Sequence, residues 1–310
     1  MQIPVIDISS LVNESTNSKE FNKTVNQIKN ACQNVGFFLI KNHGISKELI
    51  DNIHIDTTNF FDLQLHQKNV YFSNDQTNYP YGYMGIGYEN LNASTNLDTT
   101  ILPDLKESFS IGNYSIQNND TQWPAIPNSF KKSWKLYYQK MVFLVDKLLE
   151  AIAIALDLDI NFFKQFTNNH TSALRALNYP EVIGNNTPKN QVRASPHTDY
   201  GTLTVLKTDG PGLQVKLNSK WIDVPIIKDT FIINLGDMMQ RWTNDKWLST
   251  IHQVIKMDTT NKRRQSFAFF HNPNNDALIE PIVKDEEPKY NPIKSKDFLM
   301  KKHLATLRRT

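Results

Sequence analysis

Apolar residues recur at intervals of three and four positions in several stretches of the first 160 residues. Residues 18–34 follow this spacing, with Ser18 as the predicted N-cap, and residues 46–61 and 128–158 follow it as well. The pattern is typical of amphipathic helices that pack one apolar face against a core. We therefore predict three helices in this part of the chain, and a further helix from about residue 295 to residue 308.

The pattern changes after about residue 172, where short runs of β-branched and aromatic residues alternate with turn signals. The turn signals include the segments 209–212 and 218–219. Many short strands at this spacing are typical of a barrel or a double-sheet jelly roll. The runs are residues 203–206, 213–215, 221–224, 231–234, 253–255 and 267–270.

The whole pattern predicts a mainly β fold with flanking helices, an α+β fold with a jelly-roll core. We divide the chain into an N-terminal helical and strand region, residues 1–115, and a helix plus jelly-roll core, residues 116–310, packed as one globular unit. Residues 73–100 have no apolar period and are rich in Asn, Tyr, Gly and Thr. We predict a long loop here, and such loops often bind ligands.

Composition excludes several classes of protein. The 34 basic and 31 acidic residues nearly balance, giving a formal charge of +3, so we expect neither nucleic-acid binding nor a polybasic membrane anchor. Cys32 is the one cysteine, which rules out an intrachain disulfide and fits a reducing compartment. With no signal-like start and no window of about 18 apolar residues, the expected location is the cytoplasm.

The first candidate for chemistry is the triplet His197-Thr198-Asp199. Side chains alternate along a strand, so positions 197 and 199 leave the same face and bring an imidazole and a carboxylate together. The pair can provide two ligands of one metal ion. A His-x-Asp triplet also arises by chance, and on its own it is more often a surface pair than a ligand pair.

A third ligand could come from His252, which begins another strand-like run. Two histidines and one carboxylate leave open positions on a metal, as a non-haem iron(II) oxygenase requires. A structural zinc site would more often be closed by four protein ligands, commonly thiolates. Taken alone, His252 fits a structural histidine at a strand end better than a ligand.

A second pair, Arg264 and Ser266, again shares one strand face. A guanidinium group binds a carboxylate through two parallel hydrogen bonds, and the serine hydroxyl can add a third. The pair suits the distal carboxylate of 2-oxoglutarate. Arg263 next to it leaves open the alternative of an arginine on an exposed strand.

In this order and on strand-like segments, the motifs resemble the isopenicillin N synthase-like branch of the iron(II)/2-oxoglutarate-dependent dioxygenases. The resemblance runs along nearly the whole chain. It is carried by IPVID (3–7), ACQNVGFF (31–38), KNHGI (41–45), LRALNYP (174–180), HTDYGTLT (197–204), GLQV (212–215), WIDVP (221–225), NLGD (234–237), RWTN (241–244), Ser249-Thr250 with His252, and RQSFAFF (264–270).

The resemblance implies a double-stranded β-helix core with an N-terminal extension and a C-terminal helix. It assigns His197, Asp199 and His252 to Fe(II), and Arg264 and Ser266 to the distal carboxylate of the co-substrate 2-oxoglutarate. It also places the Tyr179 hydroxyl near that co-substrate. With O2 as the second co-substrate, the implied products are succinate, carbon dioxide and an oxidised small molecule.

The reaction and the substrate are less constrained. Asp199 is a residue that halogenating relatives lack, so hydroxylation, desaturation or ring closure is expected. An oxidase of the same fold that does not use 2-oxoglutarate, and a catalytically silent binding protein, are the alternatives. The sequence gives neither the substrate nor the oligomeric state. The predicted substrate contacts are Tyr81, Tyr83, Met84, Phe109, Arg175 and Phe270.

Overall fold

The computed structural model describes residues 2–13, 18–72, 81–88, 104–117, 122–181, 192–256 and 262–306. Among these residues no helix is both long and apolar enough to cross a bilayer. The helices are α1 (Ser9–Asn13), α2 (Lys19–Asn34), α3 (Lys47–Phe61), α4 (Leu65–Asn69), α5 (Asn113–Gln117), α6 (Phe130–Ala155), α7 (Lys164–Thr167), α8 (Asp237–Trp242) and α9 (Ser295–Thr306).

The strands are short. They are β1 (Val5–Asp7), β2 (Phe37–Lys41), β3 (Gly82–Met84), β4 (Glu107–Gly112), β5 (Ala173–Tyr179), β6 (Ala194–His197), β7 (Leu203–Thr208), β8 (Leu213–Leu217), β9 (Lys220–Asp223), β10 (Thr230–Leu235), β11 (His252–Val254), β12 (Arg264–His271), β13 (Leu278–Ile279) and β14 (Ile293–Lys294).

Serine caps fix where the first long helices begin. The Ser18 hydroxyl accepts a hydrogen bond from the Phe21 amide at 3.0 Å, and the Ser46 hydroxyl accepts one from the Leu49 amide at 3.3 Å. Each cap satisfies an N–H group that has no partner within its own helix. The predicted beginnings of α2 and α3 are therefore confirmed to within one residue.

Gly36 ends the turn between α2 and β2 with a φ of +70°, a region that favours glycine. A Cβ atom at this position would lie 2.3 Å from the Leu248 carbonyl oxygen. Glycine is therefore required both by the backbone angle and by the close approach of the loop before β11.

Two sheets form the core. The larger one has the strand order β1-β2-β10-β7-β12-β5-β4-β3, and the smaller one has the order β6-β11-β8-β9. One apolar cluster lies between the two sheets and includes Phe37, Val215 and Ile232. A larger cluster lies on the other side of the large sheet, where α2, α3 and α6 cover it. This is the double-stranded β-helix core that the resemblance implies.

Strand alternation decides which residues face the space between the sheets. The antiparallel pair β5–β12 has the register Arg264↔Tyr179, Ser266↔Leu177 and Ala268↔Arg175. The residues between them, such as Phe267 and Phe269, point to the opposite side and pack in the helix-covered cluster. All three predicted co-substrate residues therefore lie on the inner face.

Strands from both predicted regions share the larger sheet. β1 to β4 come from residues 1–115, whereas β5, β7, β10 and β12 come from residues 116–310. The proposed boundary at residue 115 falls inside α5. The sheet is continuous across this division, and the division itself stays a prediction.

Several element boundaries differ from those predicted. The long helix ends at Ala155, three residues before the predicted end, and α9 is described as far as Thr306. β3 lies inside the stretch 73–100 that we predicted as loop, and it pairs with β4. Residues 73–80 and 89–100 lie outside the described residues. β3 was not predicted because a strand of three residues has too few positions to give a recognisable period.

Candidate active site

The three predicted metal ligands meet between the sheets. In the pairing of β6 with β11, His252 lies directly opposite His197. Asp199 follows β6 by two residues, and its Oδ1 lies 3.6 Å from His252 Nε2 and 3.9 Å from His197 Nε2. One ligand atom from each residue lies within 4.8 Å of the others. Three atoms at these separations can bind one ion at ordinary metal–ligand distances of about 2.0–2.2 Å.

Backbone carbonyls orient both imidazole rings. His197 Nδ1 lies 2.7 Å from the Ser195 carbonyl oxygen, and His252 Nδ1 lies 3.1 Å from the Thr250 carbonyl oxygen. A ring that donates from Nδ1 presents the lone pair of Nε2 to a metal. Burial, reinforced by the neighbouring His252, lowers the pKa of His197 to about 4. The ring is therefore neutral at physiological pH, as a metal ligand must be.

Two polar side chains hold the Asp199 carboxylate in place. Its Oδ2 accepts hydrogen bonds from Thr204 Oγ1 at 2.6 Å and from Asn234 Nδ2 at 2.7 Å. Burial by itself would raise the pKa of Asp199, but the two histidines and these two hydrogen bonds outweigh it and hold the pKa below its usual value. The carboxylate is therefore ionised, with Oδ1 directed at the histidines.

This donor set fits iron(II). It has two imidazole nitrogens and one carboxylate oxygen from a single side, which is the arrangement of non-haem iron(II) oxygenases. The other side of the three ligands opens into a cavity between the sheets. Among the described residues, these three form the group of three or more histidine, cysteine, aspartate or glutamate side chains that lie close enough together to share a metal ion.

Arg264 lies in the same cavity and is 2% exposed. Its Nε donates to the Gly210 carbonyl oxygen at 3.1 Å, and its guanidinium carbon lies 5.0 Å from the centre of the Tyr179 ring. Nη1 lies 3.5 Å from Ser266 Oγ, whereas Nη2 has no hydrogen-bond partner among the described residues. A buried N–H of a charged group without an acceptor is costly. The arrangement therefore fits an incoming carboxylate.

Two of the predicted substrate contacts line the cavity with the metal ligands. Arg175 is 7% exposed, and its Nε donates to Ser110 Oγ at 2.8 Å. Phe270 lies on the inner face of β12 and is partly buried. Met84 contacts Arg175 through its sulfur, 4.0 Å from Nη2, but the cavity wall does not include it.

Tyr83 and Phe109 lie elsewhere. They are register partners on β3 and β4, and both point to the helix-covered side of the sheet, where Phe60 packs against each ring. The Tyr83 hydroxyl donates to Glu107 Oε2 at 2.6 Å. Tyr81 packs against Gly112, where a Cβ atom would meet its ring. The structure therefore places Tyr83 and Phe109 in the core and the partly buried Tyr81 beside β4, all three outside the cavity lining, and their contact with substrate stays a prediction.

Several cavity residues were not predicted. Lys106 lines the cavity near His197, and Leu299 and His303 of α9 line it as well. Thr204 and Asn234 stand inside two motifs of the family resemblance, HTDYGTLT and NLGD, but no role was predicted for either. Their positions in those motifs were the available signal, whereas nothing near Leu299 or His303 pointed to the cavity.

α9 is attached to the segment after β6 that carries Asp199 and to the beginning of α8. Lys302 Nζ lies 2.7 Å from Asp237 Oδ2, and the His303 ring packs edge-on against Tyr200 at 5.3 Å. The backbone amide of Asp237 in turn donates to the Asp199 carbonyl oxygen at 2.8 Å. The C-terminal helix therefore forms part of the cavity wall.

Two family models match the chain. Residues 3–130 match the N-terminal region of the non-haem dioxygenases described for morphine synthesis, and residues 166–273 match the 2OG-Fe(II) oxygenase superfamily. The second match contains all three predicted metal ligands and the Arg264–Ser266 pair.

Similar proteins agree with these matches. The 2-oxoglutarate-Fe(II) type oxidoreductase hxnY of Emericella nidulans is 30% identical over 96% of this chain and 88% of its own length. Homoarginine-6-hydroxylase 2-ODD-C23 of Glycine max is 31% identical over 90% of this chain and 88% of its own length.

A full-length Neurospora crassa protein, solved as a crystal structure with alpha-KG, superimposes with a TM-score of 0.86 at 31% identity, covering 98% of this chain and 95% of that one. Its ligand alpha-KG is 2-oxoglutarate. The chain therefore belongs to the 2-oxoglutarate/Fe(II) oxygenase superfamily and is an iron(II)- and 2-oxoglutarate-dependent oxidoreductase.

Proposed function

We propose that His197, Asp199 and His252 hold Fe(II), and that Arg264 and Ser266 bind the distal carboxylate of 2-oxoglutarate in the same cavity. The observation that carries the proposal is the buried Nη2 atom of Arg264, which has no partner among the described residues and lies in the cavity that also contains the three ligands. The chemistry that iron(II) supplies when bound is reduction of dioxygen, coupled to conversion of 2-oxoglutarate into succinate and carbon dioxide.

The protein's own contribution is to bind, orient and desolvate. Ser266 is 2% exposed and lies one strand repeat from Arg264, so its hydroxyl can donate beside the guanidinium. The Tyr179 ring packs against that guanidinium and fixes its plane. Leu206 and Ala268 complete an apolar wall around the pair, which strengthens the charged hydrogen bonds by excluding water.

Asp199 bears on the outcome of the reaction. Its carboxylate takes the ligand position that a bound halide would need, so hydroxylation, desaturation or ring closure of the substrate is favoured over halogenation. The paired hydrogen bonds from Thr204 and Asn234 keep that carboxylate fixed.

Anaerobic titration of the Fe(II)-loaded protein with 2-oxoglutarate tests the proposal. We expect a weak visible charge-transfer band as the 2-oxo acid chelates the metal, and succinate release once oxygen is admitted. Iron binding without the band would contradict the roles proposed for Arg264 and Ser266. Failure to bind iron would contradict the proposed ligand set.

We further propose that the substrate is a small molecule with an acidic group and an apolar body. Arg175 and Lys106 both line the cavity and are buried, 7% and 3% exposed respectively. Arg175 enters the cavity from β5 with its Nε bonded to Ser110, and we take it as the main candidate for the acidic group, because a cation at low local dielectric interacts strongly with a carboxylate. Phe270 and Leu177 contribute the apolar surface. Among the relatives, the Neurospora crassa protein was also solved with alpha-KG and thymine, which is a small molecule.

A panel of small carboxylic acids and their primary amides, assayed by succinate release above the substrate-free rate, tests this substrate class. We expect the stimulating compounds to be acids, with at least about a tenfold preference over the matched amides. Arg175→Met is expected to lose most of this preference, because it keeps an unbranched apolar stem but removes the charge of the side chain.

Lys23→Met is the control for the loss of one positive charge, because the Lys23 side chain is 67% exposed on α2. It should behave as the unmodified protein does. Stimulation by amides as strong as that by acids would contradict the proposed substrate class, without bearing on the co-substrate.

A further inference from the structure

The turn after β7 contacts the first residues of β12. Asp209 Oδ1 accepts a hydrogen bond from the backbone amide of Gln265 at 2.8 Å, and the Asp209 amide donates to the Gln265 carbonyl oxygen at 3.2 Å. Gln265 is the residue between Arg264 and Ser266. Asp209 therefore holds the backbone of β12 at the residue between the two predicted co-substrate residues.

The next residue of the same turn contacts the Arg264 side chain directly. The Gly210 carbonyl oxygen accepts from Arg264 Nε at 3.1 Å. A Cβ atom at Gly210 would lie 3.4 Å from Arg264 Cγ, so the turn already packs closely along the stem of the arginine. With Nε held from behind, the two terminal nitrogens are left to face the cavity.

The charge of Asp209 gives a second link between this residue and Arg264. Burial lowers the pKa of Arg264, whereas Tyr179 and Asp209 act in the opposite direction. The Asp209 carboxylate forms hydrogen bonds with Gln265 and His54, not with the guanidinium. Asp209 can therefore stabilise the positive charge without occupying the nitrogens that a ligand needs.

The other oxygen of the carboxylate is held by a helix. Asp209 Oδ2 lies 3.1 Å from His54 Nε2 on α3. The carboxylate thus has one oxygen fixed to β12 and the other to the helical layer. Its orientation is set from two sides, which is what a residue must have if it is to fix the position of another.

We propose that Asp209 is a positioning residue for the distal carboxylate of 2-oxoglutarate. It acts through the Gln265 backbone and the Gly210 carbonyl to set the direction of the Arg264 guanidinium, and it does not touch the co-substrate. This inference rests on the proposed role of Arg264. An aspartate that only stabilised the turn would affect folding, but it would not distinguish between co-substrates.

Two 2-oxo acids separate these roles. 2-Oxoglutarate and 2-oxobutyrate present the same chelating end, but 2-oxobutyrate has no distal carboxylate. In anaerobic titrations of the Fe(II)-loaded protein, Asp209→Ala is expected to weaken 2-oxoglutarate binding about tenfold, as for a lost charged hydrogen bond. Binding of 2-oxobutyrate should stay within about twofold. Equal losses for both acids would overturn the proposal.

Conservative and control variants sharpen the test. Asp209→Asn retains an oxygen that can accept from the Gln265 amide, so it should recover most of the affinity and leave a loss of about threefold. If Asp209→Ala does not fold, Asp209→Asn carries the test, and a loss for 2-oxobutyrate as large as that for 2-oxoglutarate overturns the proposal. Asp223→Ala, which removes an exposed aspartate of β9 bonded only to Gln214 in the described structure, should change neither affinity.

A double variant distinguishes this inference from the function on which it rests. Adding Asp209→Ala to Arg264→Ala should cost no further affinity, because the residue to be positioned is absent. A full additional tenfold loss would contradict the proposal. If the unmodified protein bound both 2-oxo acids equally, the proposed role of Arg264 would fail, whereas a preference for 2-oxoglutarate that Asp209→Ala leaves intact would refute the Asp209 inference alone.

Discussion

Asp199→Ala is expected to abolish succinate release and to weaken Fe(II) binding by at least about 100-fold. Loss of an outer hydrogen-bond partner of a metal ligand already costs about 10- to 100-fold, and here the ligand itself is removed. The variant leaves two imidazoles whose nearest acidic neighbour has gone. Anaerobic Fe(II) titration and succinate assay measure the two effects separately.

Two comparisons make the expected result specific. Thr204→Val removes one hydrogen bond to the Asp199 carboxylate and leaves the ligand present, so its loss of iron affinity should be about tenfold. Asp276→Ala removes an exposed aspartate outside the cavity and should bind iron as the unmodified protein does. If Asp199→Ala retained iron with unchanged affinity, the three residues would not be the metal site.

The sequence could predict the pair His197 and Asp199 from a local rule. The two residues are two positions apart, so a continuing strand would bring them to one face, and although β6 ends at His197, their side chains do lie together in the structure. Their relation to His252 depends on the pairing of β6 with β11, which places the two histidines opposite each other. No local pattern contains that register, and only the ordered set of motifs indicated it.

Local rules were not sufficient to place the predicted substrate contacts. Tyr83 and Phe109 lie on strands, and a shift of one residue in the predicted strand position moves a side chain from the inner face to the outer face. The pairing of Phe109 with Ala176 puts both aromatic rings on the helix-covered side. Short strands such as β3 and β4 give too few positions to decide the face without knowledge of their partners.

Contacts between distant segments were also beyond prediction. Leu299 reaches the cavity because Lys302 pairs with Asp237, more than sixty residues earlier in the chain. The Asp209 turn meets Gln265 through a similarly distant contact. In the first case Lys302 joins α9 to α8, and in the second Asp209 joins a turn to β12. Neither the sequence of α9 nor that of the turn indicates such a contact. The residues proposed to bind could be predicted from their chemistry, whereas those proposed to position them required the fold.

Arg264→Ala is expected to raise the dissociation constant for 2-oxoglutarate by at least about 100-fold, or about 2.7 kcal/mol, and to leave that for 2-oxobutyrate nearly unchanged. Each charge-assisted hydrogen bond contributes about 1.5–3 kcal/mol, and a guanidinium can offer two to one carboxylate.

Arg264→Lys retains the charge but loses the planar pair of donors and the Gly210 contact from Nε. It should therefore recover only part of the affinity, about tenfold over alanine. Anaerobic titration monitored by the charge-transfer band gives both constants. A similar loss for both 2-oxo acids would indicate damage to the metal end of the cavity. Full recovery by lysine would show that a point charge is sufficient and that the geometry set by Gly210 has no role in binding.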